Sequence, residues 1–245
     1  MATARLRILD WAARAEGRES KAEWQAWAGA AAALAGARAA AAMPMMLRRR
    51  LGPLGQRAIA AAYETGADAG ARYIFASRHG DLRRTATLLA SLAARETLSP
   101  AEFSVSVHNA FAGLLSIATQ ATAGHTAIAA GPDSFAFGIV EAMGCLMAAP
   151  AERVLLVYYD EAPPAPYGEL SIATGEGLAL ALLLAADRDP AADSGTLAEI
   201  AVATSAGAPT ETTRQGFDCL RFLASGEATR YSAGGRINLE WRRAH

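Results

Sequence analysis

Residues 125–145, HTAIAAGPDSFAFGIVEAMGC, are typical of a short apolar strand that passes through a sharp Gly-Pro-Asp-Ser turn into an amphipathic helix. Many enzymes place a nucleophile at such a turn, because the free N–H groups and the positive dipole end of the helix stabilise a developing anion. Here the turn holds Gly131 and Pro132, and neither side chain can attack a substrate. The stretch predicts an α/β fold and leaves open whether any chemistry lies elsewhere in the chain.

Helical and extended patterns alternate on both sides of this stretch, which predicts a buried sheet with helices on its faces. Strands are expected at 71–77, 126–130, 153–161, 176–187, 197–206 and 236–243. Helices are expected at 20–42, 53–69, 81–96, 108–120, 134–149 and 213–226, with a further helix start at 99–102. In the helix at 81–96, four leucines (82, 88, 89 and 92) form an apolar stripe. No repeat and no linker divides the chain.

The composition excludes several classes of protein. Of 245 residues, 52% are apolar and only 19% are charged, which excludes general disorder. The formal charge of −1 and the lack of a long basic block argue against a nucleic-acid partner. The N-terminus is interrupted by charged residues, and the Ala-rich run at 28–46 is too weakly apolar to cross a bilayer, so we expect no signal peptide and no membrane association. A cytoplasmic protein is expected.

The nucleophile candidates each have an ordinary structural interpretation. Cys145 and Cys219 lie at apolar helical positions and are expected to be buried core residues. Ser134 is expected to be a cap or first-turn serine, because the G-x-S-x-G pattern would require glycine where Pro132 and Ala136 stand. The four histidines show no metal-binding spacing, so neither a metal nor another cofactor is expected.

Two charged motifs leave alternatives open. Asp160 and Glu161 follow a predicted strand and could face a crevice at its carboxyl end, although adjacent acids before a Pro-rich loop are usually solvated. Arg48, Arg49 and Arg50 are either an exposed face or a contact for an acidic partner.

Residues 107–161 resemble the central part of β-ketoacyl synthases, which have the thiolase fold. The matching residues are Asn109, Gly113, Ser116 and Ile117 of an N-x-x-x-G-x-x-S-I helix, followed by the strand TAIAA, the helix from Ser134 and the strand Val154–Glu161. The segment 175–187 is similar to the next strand of that family. The resemblance implies a single thiolase-like domain over 1–245, a layered α/β fold with a ketosynthase-like core at 43–187 and a reduced C-terminal part at 188–245.

The resemblance places Gly131, within one residue, at the position of the family's nucleophilic cysteine. The family's two catalytic histidines also lack counterparts, since the only histidine after residue 125 is His245. The chain is similar to the short chain-length-factor-like subunits that accompany ketosynthases in bacterial aryl polyene pathways. This implies a non-catalytic subunit that stabilises a ketosynthase in a heterodimer or heterotetramer and shapes its acyl pocket.

In such pairs the two chains join along sheet edges, so the strand TAIAA is expected near the junction. The resemblance also implies eight interface or acyl-pocket residues: Phe103, His108, Asn109, Phe111, Asp133, Ser134, Phe135 and Phe137. The four phenylalanines are equally compatible with ordinary core positions. Two other functions stay open: an acyltransferase or hydrolase that uses Ser134 or Cys145, and a module that docks an acyl carrier protein through Arg48–Arg50, alone or within a complex.

Overall fold

A computed structural model describes residues 2–29, 43–66, 68–150, 152–170, 177–187, 195–205 and 214–244. The strands are β1 (Ala2–Arg14), β2 (Ala71–Ala76), β3 (His125–Ile128), β4 (Arg153–Asp160), β5 (Leu178–Ala186), β6 (Thr196–Thr204), β7 (Thr229–Ser232) and β8 (Ile237–Arg243). The helices are α1 (Lys21–Ala28), α2 (Met45–Arg50), α3 (Pro53–Glu64), α4 (Leu82–Ala93), α5 (Pro100–Ser104), α6 (Ala110–Thr119), α7 (Ser134–Ala148) and α8 (Gln215–Ser225).

The strands form one sheet in the order β3-β2-β4-β5-β1-β6-β8-β7. Strands β3, β2 and β4 are mutually parallel, and the remaining pairs are antiparallel. No element was expected over the N-terminal residues, yet β1 lies near the centre of this sheet. Its signal is the alternation of Leu6 and Ile8, which are buried, with the more exposed Arg5 and Arg7.

The sheet curves around α7 and α8. Strands β4 and β8 are four positions apart, so a flat sheet would separate them by about 19 Å. The Phe135 ring of α7 nevertheless lies 5.4 Å from the Tyr158 ring of β4 and 6.2 Å from the Trp241 ring of β8. Both ends of the sheet therefore pack on the same two helices, which form the central layer between them.

Two apolar cores result, one on each face of the sheet. The first surrounds α7 and α8 and draws on both sheet ends, with Trp241 and Phe222 fully buried. The second lies beneath α3 and α6, with Tyr73 and Phe75 of β2 and Tyr159 of β4 buried in it. The predicted sheet with helices on its faces is confirmed.

Several predicted boundaries need correction. The helix expected over 20–42 ends at Ala28, because Gly29 adopts the left-handed conformation with φ 74°. Residues 30–42 of that prediction lie outside the described residues, as do the first residues of the expected strand 176–187 and the expected helix 213–226. The helix expected over 53–69 ends at Glu64. Ser20, Asp81 and Ser99, the first residues of three predicted helices, are N-caps whose side chains each accept a first-turn backbone N–H, and Ser20 belongs to a complete capping box.

The leucine stripe of α4 does not face a core. No described residue of α4 is buried, and Leu89 and Leu92 are 44% and 57% exposed. This amphipathic helix therefore presents apolar side chains on the surface of the isolated chain.

Candidate functional site

The turn between β3 and α7 holds Gly131 at the position that the sequence assigned to the family's nucleophile. Gly131 begins a one-turn 3-10 helix (Gly131–Asp133) that leads directly into α7. Its φ of 62° is left-handed, and a Cβ added there would meet no atom within 4 Å. The turn therefore has space for a side chain at residue 131, but glycine supplies no nucleophile there.

Ser134 closes this turn with both of its hydrogen-bonding functions. Its Oγ donates to the Gly131 carbonyl over 2.7 Å and accepts the Ala130 N–H over 3.0 Å. The side chain is 1% exposed. The predicted structural role at the start of the helix is confirmed. A nucleophilic hydroxyl must give its proton to a general base, but the Ser134 hydroxyl donates its proton to a backbone carbonyl.

Asp133 connects the turn to the C-terminal part of the chain. Its carboxylate is 1% exposed and accepts the backbone N–H groups of Gly235 (2.7 Å) and Arg236 (3.0 Å). The Arg236 side chain donates to the Ala130 carbonyl over 2.6 Å and stacks over Phe137 at 4.9 Å. We call this group, comprising Asp133, Gly235 and Arg236, the turn clasp. The turn clasp was not predicted from the sequence; the Gly-Gly pair before the last strand is the signal that could have indicated a close backbone approach.

The two cysteines differ in accessibility. Cys219 is fully buried, as predicted, and burial raises the pKa of its thiol well above the ordinary value. Cys145 is only partly buried, which corrects the prediction of a core position, because its helix face borders the surface next to exposed Gly144 and Met147. Burial, with the nearby Glu141 carboxylate, raises the pKa of the Cys145 thiol, which disfavours the reactive thiolate.

Asp160 and Glu161 are not the solvated pair that their sequence context suggests. Asp160 accepts hydrogen bonds from the Ser77 hydroxyl (3.0 Å) and the Arg78 N–H (2.9 Å), and thereby anchors the loop after β2 to the end of β4. Burial raises the pKa of the Asp160 carboxyl to about 6, although these donors oppose the shift. Glu161 forms ion pairs with Arg57 and Arg83 across the same end of the sheet.

The two histidines near this loop have no metal-binding arrangement. Nε2 of His108 lies 2.9 Å from the Ser77 carbonyl, and burial lowers the pKa of His79. Among the described residues, no group of three His, Cys, Asp or Glu side chains could hold a metal ion. Within the same residues, no helix is long and apolar enough to span a membrane.

Strand β3 is an edge of the sheet, paired on one side only, with β2. On that side the carbonyls of Gly124 and Ile128 accept the N–H groups of Tyr73 and Ser77. Backbone groups of a strand alternate in direction, so those of His125 and Ala127 point away from β2. The chain therefore offers unpaired backbone donors and acceptors along β3.

Exposed large apolar side chains concentrate in one part of the sequence, residues 45–147. The described residues include ten exposed large apolar or aromatic side chains, and all but Tyr231 lie between residues 45 and 147 on α2, on α4–α7 or just after α5: Met45, Met46, Leu89, Leu92, Phe103, Val107, Ile117, Val140 and Met147. Helices α6 and α7, which carry Ile117 and Val140, pack against β3, whereas Met147 near the end of α7 lies beside Ala4 and Arg5 of β1.

Arg84 ties three of these helices together. Its guanidinium donates to the Arg50 carbonyl at the end of α2 (3.1 Å) and pairs with Asp81 before α4 and with Glu102 of α5. Helices α2, α4 and α5 are therefore held as one unit, which fixes the position of their exposed apolar side chains. Arg48, Arg49 and Arg50 of α2 are also exposed.

The structure separates the predicted interface residues into two groups. Phe111, Asp133, Ser134 and Phe135 are at most 2% exposed and are enclosed by this chain, so for the two phenylalanines the ordinary core interpretation holds. Phe103 is 60% exposed, Asn109 is exposed, and His108 and Phe137 are partly exposed. Contact of these four residues with a partner stays a prediction.

Comparison with known proteins identifies the class. Residues 24–242 match the family model for the β-ketoacyl synthase N-terminal domain. The chain belongs to this family, and the thiolase-like fold expected from the sequence is confirmed. No curated protein sequence matches it significantly.

Solved structures give a finer comparison. The chain is 28% identical, with a TM-score of 0.79, to a chain of the ketosynthase ApeO in complex with its chain length factor ApeC from Xenorhabdus doucetiae; the match covers 97% of this chain and 99% of that one. The ishigamide ketosynthase/chain length factor shares the fold at 17% identity and TM-score 0.60, covering 93% of this chain and 71% of that one. A chain of the AntDE:AntF complex, a type II acyl carrier protein with its ketosynthase, shares it at 12% identity and TM-score 0.67, covering 99% and 100%.

Proposed function

We propose that this chain is a non-catalytic, chain-length-factor-like subunit that pairs with a β-ketoacyl synthase, stabilises it and helps to form its acyl pocket in fatty-acid or polyene chain elongation. The observation that carries the proposal is the unpaired edge strand β3, which is flanked by helices with exposed apolar side chains, Ile117 of α6 and Val140 of α7. The relative at 28% identity is a chain of similar length from a complex of a ketosynthase and its chain length factor.

Physical chemistry supports a permanent partner. An exposed apolar edge strand is an aggregation hazard that natural proteins cover. Permanent complexes bury roughly 2,000 Å² or more in an interface that is more apolar than the average surface. Exposed Ile117 and Val140, on the helices that pack against β3, and the exposed apolar side chains of α2, α4 and α5 supply apolar area for such an interface.

The absence of catalysis rests on the turn. Acyl transfer by a ketosynthase requires a nucleophile that forms a thioester, and glycine at position 131 supplies none. Ser134 and Cys145 are poor substitutes, since the Ser134 hydroxyl is engaged within the turn and the Cys145 thiol has a raised pKa. The acyltransferase or hydrolase alternative therefore has little support. Cytoplasmic location and a role in an aryl polyene pathway complete the proposal.

The edge strand allows a sharp test. The Ala127 N–H points away from β2, so Ala127→Pro removes a donor to the partner and leaves the ladder within this chain intact. We expect an affinity-tagged ketosynthase to retain much less of the co-expressed Ala127→Pro chain than of the co-expressed wild-type chain. Ala123→Pro, in the loop before β3, is the matched control and should be retained.

Two results would contradict the pairing. Equal retention of the Ala127→Pro chain would show that β3 does not pair with the ketosynthase. Failure of the wild-type chain to be retained at all would remove the partner role. An acyl carrier protein is proposed to reach this subunit only through the complex, so carrier binding by the isolated chain through Arg48–Arg50 would favour the docking-module alternative.

A further inference from the structure

Helices α1 and α8 carry a line of alternating guanidinium groups and aromatic rings. The Arg214 guanidinium lies 4.8 Å from the Phe217 ring centroid, the Phe217 and Trp27 rings are 6.1 Å apart, and the Arg221 guanidinium lies 4.4 Å from the Trp27 ring. We call these four residues the arginine ladder. Arg214 is exposed and the other three are partly exposed, so a partner molecule can reach them.

The two arginines are held in place but lack counter-charges. Neither Arg214 nor Arg221 forms an ion pair or a side-chain hydrogen bond with any described residue. Nearby acids are engaged elsewhere: Asp218 binds Arg230 and the Ser232 hydroxyl. Stacking on a ring occupies the face of a guanidinium and leaves its N–H edge free for a bidentate carboxylate.

The spacing indicates the kind of anion. Arg214, the N-cap residue of α8, and Arg221 within α8 are seven residues apart, so their backbone positions lie two turns and roughly 10 Å apart along the helix axis. Two carboxylates seven residues apart on another helix have the same separation, and an apolar residue between them would lie over the Trp27 and Phe217 rings.

We propose that the arginine ladder docks an acidic helix of a partner protein, with two carboxylates two turns apart. This surface lies on α1 and α8, whereas the ketosynthase proposal concerns β3 and α2–α7. The two proposals are therefore independent, and failure of one leaves the other intact. Pre-ordering by the rings adds affinity, since a long arginine side chain otherwise loses rotamer freedom on binding.

The test uses the full chain and a fluorescein-labelled, Ala-based helical peptide that carries Glu at i and i+7 with Leu at i+3 and i+4. A control peptide has the same composition with the two glutamates at i and i+2. We expect the matched peptide to bind about tenfold more tightly by fluorescence anisotropy, and to weaken as NaCl is raised. Arg214→Glu with Arg221→Glu should abolish this preference, while Arg5→Glu with Arg242→Glu on the opposite sheet face should preserve it.

Trp27→Leu tests whether stacking of Arg221 on Trp27 contributes to binding or whether the two arginine charges alone account for it. It keeps an apolar side chain but removes the stacking partner of Arg221, and we expect severalfold weaker binding at an unchanged net charge. Circular dichroism shows whether each variant is folded. If the Arg→Glu variants do not fold, Arg221→Gln is the milder substitution to use.

Three results would overturn the proposal. The first is equal affinity for both peptides. The second is loss of binding on reversal of Arg48–Arg50 in place of the ladder arginines. The third is full competition by millimolar inorganic phosphate, which would identify a small-anion site.

Discussion

The turn clasp gives a prediction whose size follows from its geometry. Asp133→Ala removes the acceptor of two backbone N–H groups, of Gly235 and Arg236. A buried donor left without a partner costs about 1–3 kcal/mol. For the two donors together we expect the free energy of unfolding to fall by about 3–4 kcal/mol. For a chain of this size that corresponds to a fall in Tm of roughly 10 °C.

Arg236→Ala is the matched comparison, because it removes the ion pair with Asp133 and the exposed hydrogen bond to the Ala130 carbonyl but keeps the backbone N–H. The Arg236 side chain is 60% exposed, so its 3.5 Å ion pair with Asp133 is screened by water and contributes about 0–1 kcal/mol. Its stacking on Phe137 adds roughly 0.5–1 kcal/mol. We expect Arg236→Ala to lower the free energy of unfolding by less than half as much as Asp133→Ala does.

The assay is thermal unfolding at one fixed protein concentration, supported by hydrogen exchange at the amides of Gly235 and Arg236. Exchange at these two amides should accelerate in Asp133→Ala and stay slow in Arg236→Ala. The reasoning is refuted if Arg236→Ala is as destabilising as Asp133→Ala, since the ion pair would then dominate over the backbone hydrogen bonds.

Three further predictions follow. Gly131→Cys should fold with a loss of roughly 1–2 kcal/mol in unfolding free energy from its left-handed φ and give a thiol that maleimide labels but acyl thioesters do not acylate; acylation detected by mass spectrometry would contradict this prediction and show that the surroundings of residue 131 still support acyl transfer. Gly234→Ala should not yield folded protein, because its Cβ would lie 1.8 Å from the Ile237 carbonyl, and a soluble variant with wild-type Tm would refute that packing. Asp160 has a folded-state pKa raised to about 6, so the folded state binds its proton more tightly and ionisation weakens stability as pH rises from about 4 to 6. Relative to Asp160→Asn, the wild type should lose Tm across that window, and a pH-independent difference between the two proteins would contradict it.

Local signals in the sequence predicted much of the fold. The caps at Ser20, Asp81 and Ser99, the buried strand at 178–186 and the helix from Ser134 each depend on neighbouring residues, so pattern alone located them. Strand β1 was not predicted, because charged residues interrupt its apolar run; their alternation with buried Leu6 and Ile8 is the strand signal.

The site was harder to predict because it depends on contacts between distant residues. Asp133 meets Gly235 across about a hundred residues, and Asp160 meets Ser77 across more than eighty, so no local pattern shows either pair. The leucines of α4 illustrate the converse difficulty. An apolar stripe is the same in sequence whether it faces the chain's own core or a partner, and only its 44–57% exposure at Leu89 and Leu92 separates the two.

The mass of the chain co-expressed with its ketosynthase, measured by light scattering after gel filtration, tests the partner role most directly. We predict one soluble complex that contains both chains, and aggregation or self-association of this chain when it is expressed alone. A well-behaved monomer that elutes separately from the ketosynthase would contradict the partner role.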